Sequence, residues 1–144
     1  MIIRKMIESD IADLSLLYEQ FWGEKSCTEK MRKTFQKINA DPNHLILNAI
    51  LEGKLVGSIL GIIAQELYGE CLPFMIIEDF IVDKDYRHKG IGKSLISEME
   101  KYATKNNCCQ IILITENHRT DTIRFYESVG YNPDTHKGFK KALK

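Results

Sequence analysis

Between Asp85 and Leu95 the chain reads DYRHKGIGKSL, with Gly90 and Gly92 set among Arg87, His88, Lys89 and Lys93. Residues of these types at this spacing suit the holding of an anion. Glycine lets a ligand approach the backbone closely. A helix start leaves several N–H groups without partners and carries partial positive charge. A loop running from Arg87 through Ile91 to Lys93 into a helix would be a nest suited to a pyrophosphate. The run also ends in Gly-Lys-Ser, the tail of the nucleotide-binding loop Gly-x-x-x-x-Gly-Lys-Ser/Thr. That loop needs glycine at position 87, where Arg87 stands, so a P-loop nucleotide-binding protein is kept only as the lesser alternative.

A second set of reactive groups lies just upstream. In PFMIIEDFIV, Glu78 and Asp79 interrupt an apolar strand, where carboxylates are unexpected. Strand alternation places Glu78 with Phe80 and Val82 on one face and Asp79 with Ile81 on the other. A local bulge would shift that parity, so both acids remain candidates.

These groups must be carried by ordinary elements. MIIRKM reads as a strand. Asp10 then precedes Ile11, Leu14, Leu17, Tyr18 and Phe21 at helical spacing, with Gly23 as the stop. A second helix is predicted from about Thr28 to Asn39. HLILNAIL and KLVGSILGIIA flank Glu52-Gly53, a hairpin signal. After the PFMIIEDFIV strand, Ile91, Leu95, Met99 and Tyr102 predict a helix from about Gly90 to Lys105. CQIILIT reads as a strand, TDTIRFYESV as a short helix closed by Gly130, and GFKKAL as a weak last strand. Hairpins first and helix crossovers later predict a mixed sheet with helices on both faces.

With that order on the page, MIIEDFIVDKDYRHKGIGKSLISEMEKYA followed by IRFYESVGY resembles the GNAT superfamily of acetyl-CoA-dependent N-acetyltransferases. The likeness implies an α/β fold of the α+β mixed kind. Its sheet would be mostly antiparallel, of six or seven strands, with a splayed central strand pair. It implies acetyl-CoA as co-substrate and no metal. Backbone N–H groups from Arg87 to Gly92 would take the pyrophosphate. Ile81, Val82 and Asp83 would pair with the pantetheine arm, and one N–H near Val82 would face the thioester oxygen. Glu78 would be the base and Tyr126 the acid for the departing thiolate. Many relatives carry Asn seven residues before that tyrosine. Here Arg119 stands in that place, and Asn117 two positions earlier is the candidate contact to CoA.

The implied reaction is acetyl transfer to a primary amine by direct attack in a ternary complex. A non-catalytic acyl-CoA sensor on the same fold is the alternative. The acceptor would be a small-molecule or peptide amine, met by FWGEKSCTEK and AQELYGECLP. There Phe21, Trp22 and Tyr68 could line a pocket, and Glu24, Glu66 and Glu70 could attract a cation. The resemblance also allows a homodimer.

Bulk properties fit this frame. The 144 residues suit one domain, 1–144, and the formal net charge of zero gives no global field for nucleic acid or an anionic membrane. The N-terminus lacks a signal peptide's apolar core, and the longest apolar run, Ile59 to Ala64, is too short for a bilayer, so the cytoplasm is expected. Cys27, Cys71, Cys108 and Cys109 show no Cys-x-x-Cys spacing and the four His are scattered, which argues against zinc. Cys108 and Cys109, at the head of an apolar run, are expected to be buried thiols.

Overall fold

Asp10, where the sequence predicts a helix start, sits in a buried polar knot. In the computed structural model, which describes residues 1–144, strand β1 (Ile2–Lys5) turns through Glu8–Asp10 into helix α1 (Ile11–Trp22). The Asp10 carboxylate accepts both terminal nitrogens of Arg4 at 2.7 and 2.8 Å, the Ile7 N–H at 3.0 Å and the Asn48 amide at 2.9 Å. Burial alone would raise its pKa. The Arg4 fork and the other donors outweigh that and leave it lowered.

Helix α2 (Thr28–Ala40) follows, then strands β2 (His44–Leu51), β3 (Lys54–Ala64) and β4 (Phe74–Val82). The β2–β3 turn is the predicted one, with Glu52 at φ 51° and Gly53 at φ 80°. Helix α3 (Ile91–Lys105) crosses over to β5 (Ile111–Ile112). The sheet order is β1-β2-β3-β4-β5, antiparallel except for the parallel β4–β5 pair.

Helices cover both faces. On one, Ile11, Leu14 and Leu17 of α1 and Phe35 of α2 pack with Leu55 and Ile81. On the other, α3 presents Ile91, Leu95 and Met99 at helical spacing, all buried. Full burial of each such side chain contributes about 1.5–3 kcal/mol. The fit is tight at Gly57. A Cβ there would lie 3.0 Å from Leu95 Cδ1, 3.2 Å from the Ile81 carbonyl oxygen and 3.3 Å from Ile91 Cγ2.

The chain divides into two compact units, Met1–Ile112 and Leu113–Lys144. The second contains α4 (Thr120–Ser128), followed by Gly130 at φ 97° in the predicted capping place. No helix is long and apolar enough to cross a membrane.

Four expectations are corrected. The sheet has five strands, not six or seven. GFKKAL forms no strand, and its Phe139 and Leu143 are 95% and 87% exposed. A short segment without a partner strand leaves its backbone to water. CQIILIT contributes only Ile111 and Ile112 to the ladder. The cysteine pair is not buried: Cys109 is exposed and Cys108 half-buried, because both lie in the turn that leaves α3.

Candidate functional site

The loop from Asp83 to Gly90 is pinned from below. The buried Asp83 carboxylate accepts the Asp85 N–H at 3.0 Å, the Lys54 ammonium at 3.0 Å and the Gln20 amide at 3.4 Å. The Gln20 side-chain oxygen accepts the Lys84 N–H at 2.9 Å. Burial would raise the Asp83 pKa, but these donors hold it below the usual carboxylate value. The Tyr86 ring meets two cations, with Lys54 Nζ 4.7 Å and Lys89 Nζ 4.8 Å from its centroid. Arg87 Nε donates to the Val82 carbonyl at 3.3 Å.

His88 (φ 60°) and Gly90 (φ 79°) both adopt the left-handed region, which turns the chain sharply into α3. Gly90 is the N-cap. The first helical bond runs from Ser94 N–H to Gly90 carbonyl at 3.0 Å. The N–H groups of Ile91, Gly92 and Lys93 therefore have no acceptor within the helix, and no side chain caps them. A Cβ at Gly90 would meet nothing within 4 Å, so the approach is open. No acid stands in the first turn of α3, and Arg87, His88, Lys89 and Lys93 are exposed around it. Free amides, basic side chains and an open approach fit a diphosphate in charge and donor chemistry.

The strand that feeds this loop has a free edge. β4 meets β5 only at Met75–Ile111 and Ile76–Ile112. From Ile77 to Val82 it pairs with β3 alone. Asp83 N–H donates to the Val56 carbonyl at 2.9 Å, so that amide is turned toward β3. Alternation along an antiparallel ladder then turns Ile81 toward β3 and leaves the Val82 N–H and carbonyl facing outward, the carbonyl engaged by Arg87 Nε. Of the three strand-end residues, Val82 is the one whose backbone faces the open edge.

A bulge begins at the second of the two acids. Leu60 opposes Glu78 and Ser58 opposes Ile81, so two residues, Asp79 and Phe80, face Ile59. The parity read from strict alternation is overturned here: Glu78 shares a face with Ile81, since Leu60 and Ser58 lie on one side of β3. Asp79 is in the left-handed region at φ 47°, a costly conformation for a residue with a side chain. It lines a cleft of about 290 Å³ with Tyr18, Trp22, Glu24, Lys25 and Ser26. The surrounding cleft wall partly desolvates the Asp79 carboxyl, which stays open to solvent, and pushes its pKa up. Burial and then the charge of Asp79 push the Tyr18 phenol up. Glu78 and Asp79 are both exposed on the strand, and only Asp79 lines this cleft.

Within the second unit Asn117 is exposed, and Arg119, the N-cap of α4, pairs with Glu116. Tyr126 is half-buried, with its ring edge-on to Phe125 at 5.5 Å and to Tyr131 at 5.9 Å. Tyr18 was readable only as a core position of α1. Gln20 and Lys54 carried no motif at all, because their roles depend on meeting Asp83 across the fold.

Comparison with known proteins agrees with this architecture. A putative acetyltransferase from Agrobacterium tumefaciens str. C58 superposes with a TM-score of 0.91 at 24% identity over 99% of both chains. An acetyltransferase of Sodalis glossinidius is 28% identical over 129 residues, 90% of this chain and 85% of that protein. Streptothricin acetyltransferase A of Bacillus subtilis is 36% identical over 53 residues, 37% of this chain. That match spans 31% of the relative's length, and another Bacillus subtilis protein, uncharacterized YdhI, is spanned over 44%. The profile of the acetyltransferase (GNAT) family covers residues 11–131. The chain belongs to the GNAT acetyltransferase family.

Proposed function

We propose that the chain transfers an acetyl group from acetyl-CoA to a primary amine by direct attack in a ternary complex. The observation that carries this is the continuity of three parts: the free β4 edge at Val82, the uncapped basic start of α3, and a cleft holding Asp79 at the bulge in the same strand. The amides of Ile91, Gly92 and Lys93, with Arg87, His88 and Lys89 around them, would take the pyrophosphate. The outward Val82 backbone would hold the amide-bearing arm in the manner of an added strand, its N–H donating and its carbonyl exchanging Arg87 for the arm.

An alkylamine has a pKa of about 10.4, so freeing it at neutral pH costs about 4–5 kcal/mol. A carboxylate that accepts the proton removes part of that barrier. Asp79 is favoured over Glu78 for this task. It lines the cleft, and its raised pKa makes it a stronger base than an ordinary aspartate. Glu78, one residue away on the same strand, would assist through water. Backbone N–H groups along the open edge, aimed at the developing oxyanion, would lower the barrier by roughly 3 kcal/mol. Tyr126 would donate to the departing sulfur, with Asn117 as a further contact to CoA.

The test is thermal stabilisation by acetyl-CoA, CoA and ATP-Mg, followed by thiol release over a panel of amines. Ligand at a hundred times its Kd adds about 2.7 kcal/mol to folded stability. Stabilisation by acetyl-CoA with amine-dependent thiol release supports the reading. Stabilisation without release from any amine turns the chain into an acyl-CoA-binding protein, and stabilisation by ATP-Mg alone overturns the reading altogether.

A further inference from the structure

We infer that the cleft between the end of α1 and the β4 bulge takes a compact, singly charged primary amine with an apolar or aromatic body. Its ammonium would rest on Asp79 and its body against Trp22 and Tyr18. The fate of that amine rests on the acetyl-transfer reading; its binding does not.

Four features of the cleft argue for this class. Size comes first. At about 290 Å³ the cleft lies at the small end of ligand sites, which run from about 300 to 1,000 Å³. It opens to solvent, so its lining engages the ammonium of a ligand and the few carbons next to it, leaving the outer rings of a multi-ring aminoglycoside without contacts.

Charge is the second. Asp79 and Glu24 are the acids of the cleft and Lys25 its one base, so the lining carries one net negative charge when Asp79 is ionised. One ammonium neutralises it, and a second would find no uncompensated acid. Asp79 is solvent-accessible at the cleft wall and its carboxylate makes no ion pair, Lys25 included, so a cationic ligand would supply the partner that this carboxylate lacks.

The third feature is the wall. Trp22 is 48% exposed, an unusual placement for a large aromatic, and it borders the cleft. Its ring is held edge-on by Tyr18 at 5.1 Å and by Phe21 at 4.8 Å, so it is presented as a fixed surface. An aromatic face beside a carboxylate attracts an ammonium and packs the carbon next to it. The fourth is a shortage of polar groups. Ser26 and the Tyr18 phenol are the only neutral hydroxyls of the lining, too few to satisfy a sugar ring. The left-handed backbone at Asp79 is the local strain that aims its carboxylate into this space.

Trp22 is the single tryptophan of the chain, so its fluorescence reports on the cleft directly. The experiment titrates 2-phenylethylamine, 2-phenylethanol, spermidine, glucosamine 6-phosphate and kanamycin into the protein, with and without saturating CoA. Saturable binding of 2-phenylethylamine at least tenfold tighter than each of the others supports the inference. Asp79→Asn should weaken that binding at least tenfold while the 2-phenylethanol response stays unchanged. The amine should also lose affinity as pH falls through the Asp79 pKa, with Tyr18, Glu24 and Lys25 as the other titrating groups of the cleft.

Tighter binding of spermidine, kanamycin or the sugar phosphate overturns the inference, as does 2-phenylethanol binding as well as the amine. That last comparison uses the wild-type chain and stands even if Asp79→Asn fails to fold. Amine binding without acetyl transfer would refute the proposed reaction and leave this inference standing. Acetyl-CoA stabilisation with a cleft indifferent to 2-phenylethylamine would refute the inference alone.

Discussion

Replacing Asp83 with alanine should loosen the loop that leads into α3, and the size of the effect follows from its contacts. Asp83 is 4% exposed and caps the turn at Lys84–Tyr86 by accepting the Asp85 N–H. Loss of such a cap costs about 1 kcal/mol. The ion pair to Lys54 involves a side chain 54% exposed, so its loss is softened by water and costs about 0.5–1 kcal/mol. The Gln20 contact at 3.4 Å is long and adds little. Asp83→Ala should therefore cost about 2 kcal/mol. That is about 1 M in the urea midpoint for a slope of about 2 kcal/mol/M.

Asp83→Asn keeps an oxygen for the Asp85 N–H and loses only the charge, so about 1 kcal/mol is expected. The folded-state pKa of Asp83 is depressed, so its charge stabilises the fold above the unfolded-state value, about 3.9. That contribution is lost as pH falls further, through the folded-state pKa. The gap between wild type and Asp83→Asn should accordingly close below about pH 4. Freeing the loop also raises the cost of ordering it around CoA by about the backbone entropy of one residue, 1–2 kcal/mol. That weakens acetyl-CoA about tenfold. An Asp83→Ala protein within 0.5 kcal/mol of wild type, or one less stable but binding acetyl-CoA as well as before, would refute this reasoning.

Three further outcomes are expected. Gly92→Asp adds bulk and negative charge among the free amides of α3 and should weaken acetyl-CoA at least tenfold by calorimetry, with little change in melting temperature. Gly57→Ala drives a methyl to 3.0 Å from Leu95 and 3.3 Å from Ile91, the first residue of α3. It should cost about 1–3 kcal/mol in urea unfolding and weaken acetyl-CoA as well, since the helix start must shift. Asp10→Ala leaves the Arg4 fork and the buried Asn48 amide without their acceptor and should cost about 3 kcal/mol by the same measurement.

Much of the anion loop was legible because its signals are local. Gly90 and Gly92 among basic residues, followed by Ile91, Leu95 and Met99 at helical spacing, mark a loop entering a helix wherever they occur. The motif pair around IRFYESVGY indicated the family in the same way. GFKKAL misled because a strand is a property of two segments, and its own residues could not reveal that no partner lies beside it. The cysteine pair misled for a related reason: an apolar run does not say where its turn ends and its burial begins.

The amino-acid order alone thus determined the helix start, its glycines and its positive charge, all of which follow from interactions between residues a few positions apart. Tertiary structure decided which acid enters the cleft. Glu78 and Asp79 are indistinguishable by spacing, and only the pairing of β4 against β3 places a bulge between Glu78 and Ile81 and turns Asp79 into the cleft with Tyr18 and Trp22. It also joined Gln20, Lys54 and Asp83 across 63 and 29 positions of chain into one support for the loop. Contacts of that range depend on how the whole sheet registers, which no short window of sequence encodes.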